Sequence, residues 1–197
     1  MNPPRILVPL APGFEEIEAI VPIDLWRRAG FNVTSAGLVA GPITASRHTQ
    51  HLPDTLLSTV LDQPFELIYL PGGRPGADHL RDCKPLLHRL CLQSESGLRL
   101  AAICAAPLAL DAAGLLHNRT WTGHPTIRKD IRAGTCSGSL LEIDRNLVTG
   151  QSAGVAAELA LTLIHELADW ATVLKVQEGY LASPAVLESI PAPSPPP

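Results

Sequence analysis

Short apolar runs alternate with helix-period segments along most of this chain, and that alternation leaves few folds open to it. Arg5 to Leu10 (RILVPL) reads as a buried strand, closed by the turn Ala11-Pro12-Gly13. Glu15 to Ala29 reads as a helix with glutamates in its first turn, arginines in its last and Gly30 ending it, the charge order that the helix dipole favours. Phe31 to Ala36 (FNVTSA) is the next strand, so the opening is a βαβ unit. Residues 40 to 55 have little periodicity and suit short strands or a hairpin. Phe65 to Leu70 (FELIYL) is a strand that ends in the turn Pro71-Gly72-Gly73. A helix over Asp82 to Gln93, carrying Leu86, Leu87 and Leu90, leads to a further strand over Leu98 to Ile103. Ala105 to Ala113 is predicted helical and stopped by Gly114, and Thr120 to Thr122 is predicted as a short strand. Leu140 to Ile143 and Asn146 to Thr149 read as a hairpin about Asp144-Arg145. Ala153 to Ala168 has the clearest amphipathic period, with Ala156, Leu159, Ala160, Leu163, Ile164 and Leu167 in one stripe.

This order predicts an α/β fold, a doubly wound and mostly parallel sheet sandwiched by helices. With 46% hydrophobic and 17% charged residues, a chain of 197 can bury one sizeable core, so residues 1–187 read as a single domain. Residues 188–197 are proline-rich and read as a disordered tail, and no internal repeat is visible. Ligands in such sheets bind at the carboxyl ends of the strands. The turns at Pro12-Gly13, at Gly72-Gly73 and at Cys104 all follow strands, so they gather on one edge.

Cys104 is the residue with the clearest chemistry. A thiol on a sharp strand-to-helix turn faces the free N–H groups of the helix start, which favour thiolate, the nucleophilic form. Glu18 shares a helix face with Val21, Pro22 and Leu25, so its carboxyl is expected to point inward. Burial would then raise its pKa and let it donate a hydrogen bond to the thiolate and shuttle protons. Pro22 has no N–H for the carbonyl of Glu18, which predicts a kink beside the site. Gly72 and Gly73 permit close backbone approach, and their N–H groups, with that of Ala105, are candidates for an oxyanion hole. His124, in Thr122-Gly123-His124-Pro125, is the candidate to orient the thiolate or relay a proton. Each has an ordinary alternative: Cys104 as small buried filler, Glu18 as a helix-start acid, the glycines as turn formers, His124 as a surface residue. Cys83 and Cys91, in a helical segment, and Cys136, in a Gly/Ser-rich loop, read as inert.

Composition excludes several functions. A net charge of −4 and a sequence pI of about 5.9, with no Lys/Arg stripe, leave no nucleic-acid-binding patch. No apolar run reaches the roughly 18 to 20 residues of a membrane span. The N-terminus lacks a signal-peptide core, so a soluble, cytoplasmic protein is expected. Four cysteines form neither a disulfide scaffold nor a CxxC pair, and seven scattered histidines make no metal-ligand spacing.

Five motifs in order resemble the ThiJ/PfpI family: Glu15-Glu16-Ile17-Glu18, Arg27-Arg28-Ala29-Gly30, Leu70-Pro71-Gly72-Gly73, Ala101-Ala102-Ile103-Cys104-Ala105-Ala106-Pro107 and Gly123-His124-Pro125. The resemblance covers roughly residues 5 to 187 and is similar to the branch containing bacterial YajL and the human parkinsonism protein DJ-one. It implies a flavodoxin-like sandwich, related to the class I glutamine amidotransferases, that forms a homodimer and uses no metal or organic cofactor. It implies Cys104 as nucleophile or sensor, Glu18 as its hydrogen-bond donor and acid/base, Gly73 and Ala105 as oxyanion donors, and His124 as the nearby histidine. Arg28 and Arg47 match arginines near the dimer interface and pocket. The activity it implies is a glyoxalase or deglycase acting on small aldehydes such as methylglyoxal, or on glycated adducts. Its non-enzymatic alternative is a redox-sensing stress protein or chaperone that oxidises the same cysteine. An amidohydrolase is a third option that lacks a recognisable His-Glu pair. Departures are Ser152-Ala153-Gly154 in place of Gly-Pro-Gly and Leu52 where a peripheral cysteine stands. Ala105, rather than histidine, follows the nucleophile and argues against a Cys-His protease.

Overall fold

The computed structural model describes residues 2–181, 184–188 and 190. It opens with β1 (Arg5–Leu10), α1 (Glu16–Arg28) and β2 (Asn32–Gly37), the expected βαβ unit. A small antiparallel hairpin follows, β3 (Ile43–Thr44) with β4 (Gln50–His51), and then β5 (Thr55–Leu56) and β6 (Leu67–Leu70). The chain continues through α2 (Gly76–Asp82), α3 (Lys84–Glu95), β7 (Arg99–Ile103) and α4 (Pro107–Ala112). The second half holds β8 (Thr120–Trp121), β9 (Thr135–Cys136), β10 (Leu141–Asp144) and β11 (Leu147–Gly150), then α5 (Ala156–Leu167), α6 (Trp170–Tyr180) and α7 (Pro184–Glu188).

The main sheet runs β10-β11-β7-β6-β1-β2-β5, parallel throughout except for the β10–β11 hairpin at its edge. Alternate strand residues enter opposite cores. Ile6, Val8, Leu10 and Tyr69 pack with Trp26 of α1 and Leu159 and Leu163 of α5. Leu7, Ile68 and Leu70 pack with Leu80, Leu86, Leu90 and Leu110 of α2, α3 and α4 on the other face. Strands covered on both faces must be apolar along their whole length, which is why these runs stand out in the sequence. The chain leaves β1 towards β2 on one side and returns to β6 on the other, so the sheet has its switch point between β1 and β6. A crevice at the carboxyl ends follows from that topology.

Several boundaries differ from expectation. The segment read as one helix over 82–93 is two helices broken at Cys83, because Pro85 has no N–H to bond the carbonyl of Arg81. Cys83 therefore sits at a helix break, and Cys136 lies in β9 rather than in a loop. The helix after Cys104 starts at Pro107 instead of Ala105, and α5 starts at Ala156 behind a short 3₁₀ turn over Ala153–Val155. In the expected tail, Glu188 closes α7 and Ile190 packs against the core; residues 191–197 lie outside the described residues. Among the described residues, no helix is long and apolar enough to cross a membrane, and no group of three or more His, Cys, Asp or Glu side chains is placed to hold a metal.

Candidate active site

Cys104 directly follows β7 in a left-handed backbone conformation, φ 61°. For a residue with a side chain that conformation costs on the order of 1 kcal/mol and needs support from its surroundings. The support is a main-chain clamp: its N–H donates to the Gly150 carbonyl at 2.9 Å, and its carbonyl accepts the His124 N–H at 2.8 Å. The half-buried sulfur takes backbone N–H contacts from Gly73, in the turn after β6, and from Ala105, the next residue in its own turn. These donors belong to turns. The tip of α4 lies three residues further on, which corrects the expectation of a sulfur on a helix N-terminus.

Glu18 points inward as expected and is 1% exposed. Its Oε2 accepts the Gly72 N–H at 2.8 Å. Gly72 was expected among the oxyanion donors; its N–H is instead committed to this carboxyl, so Gly73 and Ala105 are the donors left facing the sulfur. Close approach explains the glycine, since a Cβ there would lie 2.6 Å from Oε2 and 2.8 Å from the Ala105 nitrogen. Gly73 is required for a second reason, its φ of 86°. The strand end and the helix start are also tied by the Glu15 N–H, which donates to the Gly72 carbonyl at 3.0 Å, while Glu15 caps α1 by accepting the Glu18 N–H at 2.9 Å. Oε1 of Glu18 is buried without an aligned hydrogen-bond partner, and the Cys104 side chain is close enough that each group shifts the other.

Burial pushes Glu18 up to about 7, with the charge of Glu15 adding to it and the contacts with Cys104, Gly72 and the Ala153 N–H opposing it. Ala153 belongs to the departing Ser152-Ala153-Gly154 segment, which thus reaches the carboxyl. Burial, followed by the neighbouring Glu18 charge, pushes the Cys104 thiol up to about 12 against the pull of the two N–H donors. The freely ionised thiolate expected from a helix tip is therefore not what this environment favours. The two groups are coupled, Glu18 raising the thiol and the Cys104 contact lowering the carboxyl, and of the two it is Glu18 that is brought near neutrality.

The other candidates fall at different distances from this pair. His124 is half-buried and reaches Cys104 through its main chain, while its ring Nδ1 meets the Thr126 hydroxyl at 2.8 Å and caps the short turn over Pro125–Ile127. Arg47 lies beside the first turn of α1, where its N–H donates to Glu16 Oε1 at 2.8 Å. Arg28 sits ten residues beyond Glu18, about 15 Å along the helix, and pairs with Asp24 at 2.7 Å. Within one chain it is not brought to the sulfur. Sequence reasoning passes over Tyr69, whose hydroxyl donates to the Glu18 carbonyl at 2.6 Å. The signal available is the missing N–H of Pro22. A surface cleft of about 810 Å³ lies elsewhere, lined by Asp111, His117, Arg119, Asp130 and Arg132.

Comparison with known proteins bears on this geometry. Residues 4–166 match the model of the DJ-1/PfpI family. Protein DJ-1 homolog B of Arabidopsis thaliana is 39% identical over 166 residues, which cover 83% of this chain and 38% of that longer protein. A Caenorhabditis elegans protein named glutathione-independent glyoxalase DJR-1.2 is 33% identical over 155 residues, covering 78% of this chain and 82% of the relative. The crystal structure of Drosophila melanogaster DJ-1beta superposes with a TM-score of 0.89 at 35% identity, over 92% of this chain and 100% of that one.

Proposed function

The chain belongs to the DJ-1/PfpI family, and from that premise we propose that it is a cofactor-independent glyoxalase and deglycase that uses Cys104 on α-oxoaldehydes such as methylglyoxal, or on their adducts. The observation that carries this reading is the pairing of a half-buried thiol with a buried carboxyl brought up to about 7, beside two backbone N–H groups. A base with a pKa near the working pH is the one best matched to proton transfer.

In the reaction, sulfur adds to the aldehyde carbon while its proton passes to the Glu18 carboxylate. The Gly73 and Ala105 N–H groups hold the oxygen that gains charge. Glu18 returns the proton to that oxygen, giving a hemithioacetal. As a base again, it removes the proton from the former aldehyde carbon, and a proton is delivered to the neighbouring carbonyl carbon. The first carbon is thus oxidised and the second reduced within one molecule, leaving a thioester. Water cleaves the thioester to the hydroxy acid and restores the thiol. The name of the worm relative supports the reaction class.

We place the protein in the cytoplasm, in defence against carbonyl and oxidative stress, because its four cysteines are unpaired and suit a reducing compartment. Ile17 and Ile20, 51% and 37% exposed on the outer face of α1, support a homodimer through that helix. The test is methylglyoxal consumption with lactate formation. The wild-type protein turns over, and Cys104→Ala and Glu18→Gln each lose about 100-fold or more. Equal rates in all three proteins would refute the reading.

A further inference from the structure

A carbonyl in the first turn of α1 lacks its helical donor, and a side chain from the sheet replaces it. Pro22 stands four residues after Glu18 and has no N–H, so the usual bond to the Glu18 carbonyl cannot form. The Tyr69 hydroxyl, from β6, takes that place at 2.6 Å, and both residues are buried. Tyr69 is itself fixed. Its ring stands edge-on to Trp26, 5.1 Å between centroids at 84°, and the Trp26 indole N–H donates to the Ala160 carbonyl of α5 at 3.1 Å. Three residues along from Tyr69, the Gly72 N–H holds Glu18 Oε2 at 2.8 Å. The end of β6 therefore grips Glu18 twice, by its main-chain carbonyl and by its carboxyl.

We propose that Tyr69 is a positioning residue for the Glu18–Cys104 pair. Its hydroxyl supplies the hydrogen bond that Pro22 cannot, and so fixes the first turn of α1 with the Glu18 carboxyl registered between the Gly72 N–H and the Cys104 sulfur. Tyr69 acts through Glu18 and not on substrate, and the inference rests on reading Glu18 and Cys104 as the working pair. The groups around Glu18 are Glu15 from its own turn, Cys104 from the turn after β7, Tyr69 from β6, and the N–H groups of Gly72 and Ala153. Burial, with the charge of Glu18 next, holds the phenol well above its ordinary range, so the hydroxyl stays a donor. The anchor does not switch; it sets geometry.

The test uses the full chain and reads the rate of Cys104 alkylation by iodoacetamide against pH, followed at the Cys104 peptide by mass spectrometry. Tyr69→Phe keeps the ring against Trp26 and removes only the hydroxyl. It lowers the rate at neutral pH about five-fold, the factor one net hydrogen bond is worth, and moves the midpoint of the pH profile by about half a unit or more. Pro22→Ala restores a main-chain N–H for the Glu18 carbonyl. In that background Tyr69→Phe changes the rate by less than about two-fold, an outcome that a mere packing role would not give. A Tyr69→Phe profile identical to wild type overturns the proposal, and so does an equal loss in both backgrounds. Should Tyr69→Phe alone fail to fold, the comparison of Pro22→Ala with the double variant decides in the same way. Alkylation needs no aldehyde, so an absence of methylglyoxal turnover would refute the proposed function and leave this result standing.

Discussion

The backbone N–H of His124 donates to the carbonyl of Cys104 at 2.8 Å, so the histidine loop and the cysteine turn are joined through main chain. Behind it the Thr122 N–H donates to the Thr149 hydroxyl at 2.9 Å, which ties the same loop to β11. The histidine side chain is occupied with Thr126. This arrangement predicts a modest cost for His124→Ala, because alanine keeps the N–H. The rate of methylglyoxal turnover falls less than about ten-fold, whereas loss of a general acid or base costs about 100-fold or more. Steady-state rates of His124→Ala beside Glu18→Gln check this, and an equal loss in the two assigns the ring a direct role.

Glu18 makes stability depend on pH in a direction opposite to most carboxylates. Its pKa rises from 4.5 to about 7 on folding, so the folded state binds the proton more tightly than the unfolded chain. The stability this contributes is fully present below 4.5 and is lost as pH rises through about 7. The loss amounts to about 2 to 3 kcal/mol between pH ~5 and pH ~8. Glu18→Gln stays neutral and keeps an acceptor for the Gly72 N–H, so it loses correspondingly less stability over that interval. Urea unfolding of both proteins at the two pH values measures the difference. Parallel losses would show that burial of this carboxyl leaves its ionisation unperturbed.

The two turn glycines after β6 tolerate no side chain. In Gly72→Ala the new methyl meets Glu18 Oε2, the Ala105 nitrogen and the Ile103 carbonyl, all at 2.6 to 2.8 Å. In Gly73→Ala it meets the Glu15 nitrogen at 2.5 Å in a backbone conformation of φ 86°. Each variant is expected to lose about 2 kcal/mol or more and most Cys104 reactivity. Gly114 is the control, since its φ is 73° but an added methyl group would meet nothing within 4 Å. Gly114→Ala costs about 1 kcal/mol and leaves reactivity intact. Urea midpoints with alkylation rates separate these outcomes, and a Gly72→Ala protein as reactive as wild type contradicts the account of that turn.

How far the sequence reveals this site depends on the range of the interaction. The sheet is legible because RILVPL, the end of FELIYL and LRLAAI are covered on both faces and so have to be apolar throughout. Gly30 and Gly114 mark helix ends because the chain turns there with φ of 83° and 73°. Helix α2 is hidden, since it begins with glycine and buries only Gly76, Ala77 and Leu80, too short a stripe to show a period. Helix α6 buries only Val173 and Val176 and escapes notice for the same reason. The inward turn of Glu18 follows from its helix face and is readable. The partner of its carbonyl is not, because Tyr69 lies 51 residues away. The upward push on the Cys104 thiol is not readable from sequence for a related reason: it comes from burial and from Glu18, which only the folded chain brings together.

The coupled acid formed by Cys104 and Glu18 gives the sulfur a pH signature that an isolated cysteine lacks. The singly ionised pair reacts through the fraction in which the remaining proton sits on Glu18 and the sulfur is thiolate, and the pair appears as pH rises through about 7, with the second proton held to about 12. Oxidation of Cys104 by dilute peroxide is therefore expected to rise through neutrality and reach a plateau, where an ordinary thiol would keep accelerating through about 9. Glu18→Gln removes the step and leaves a slower rate that climbs only at high pH, since burial still opposes the bare thiolate. The same experiment examines the redox-sensing alternative. The Gly73 and Ala105 N–H groups face the sulfur and are placed to hold the oxygens of a sulfinate. Peptide mass spectrometry should find the added oxygens on Cys104 before Cys83, Cys91 or Cys136. Prior modification of any of those three, or a wild-type rate without a plateau above neutrality, would remove the basis for both the enzymatic and the sensing roles.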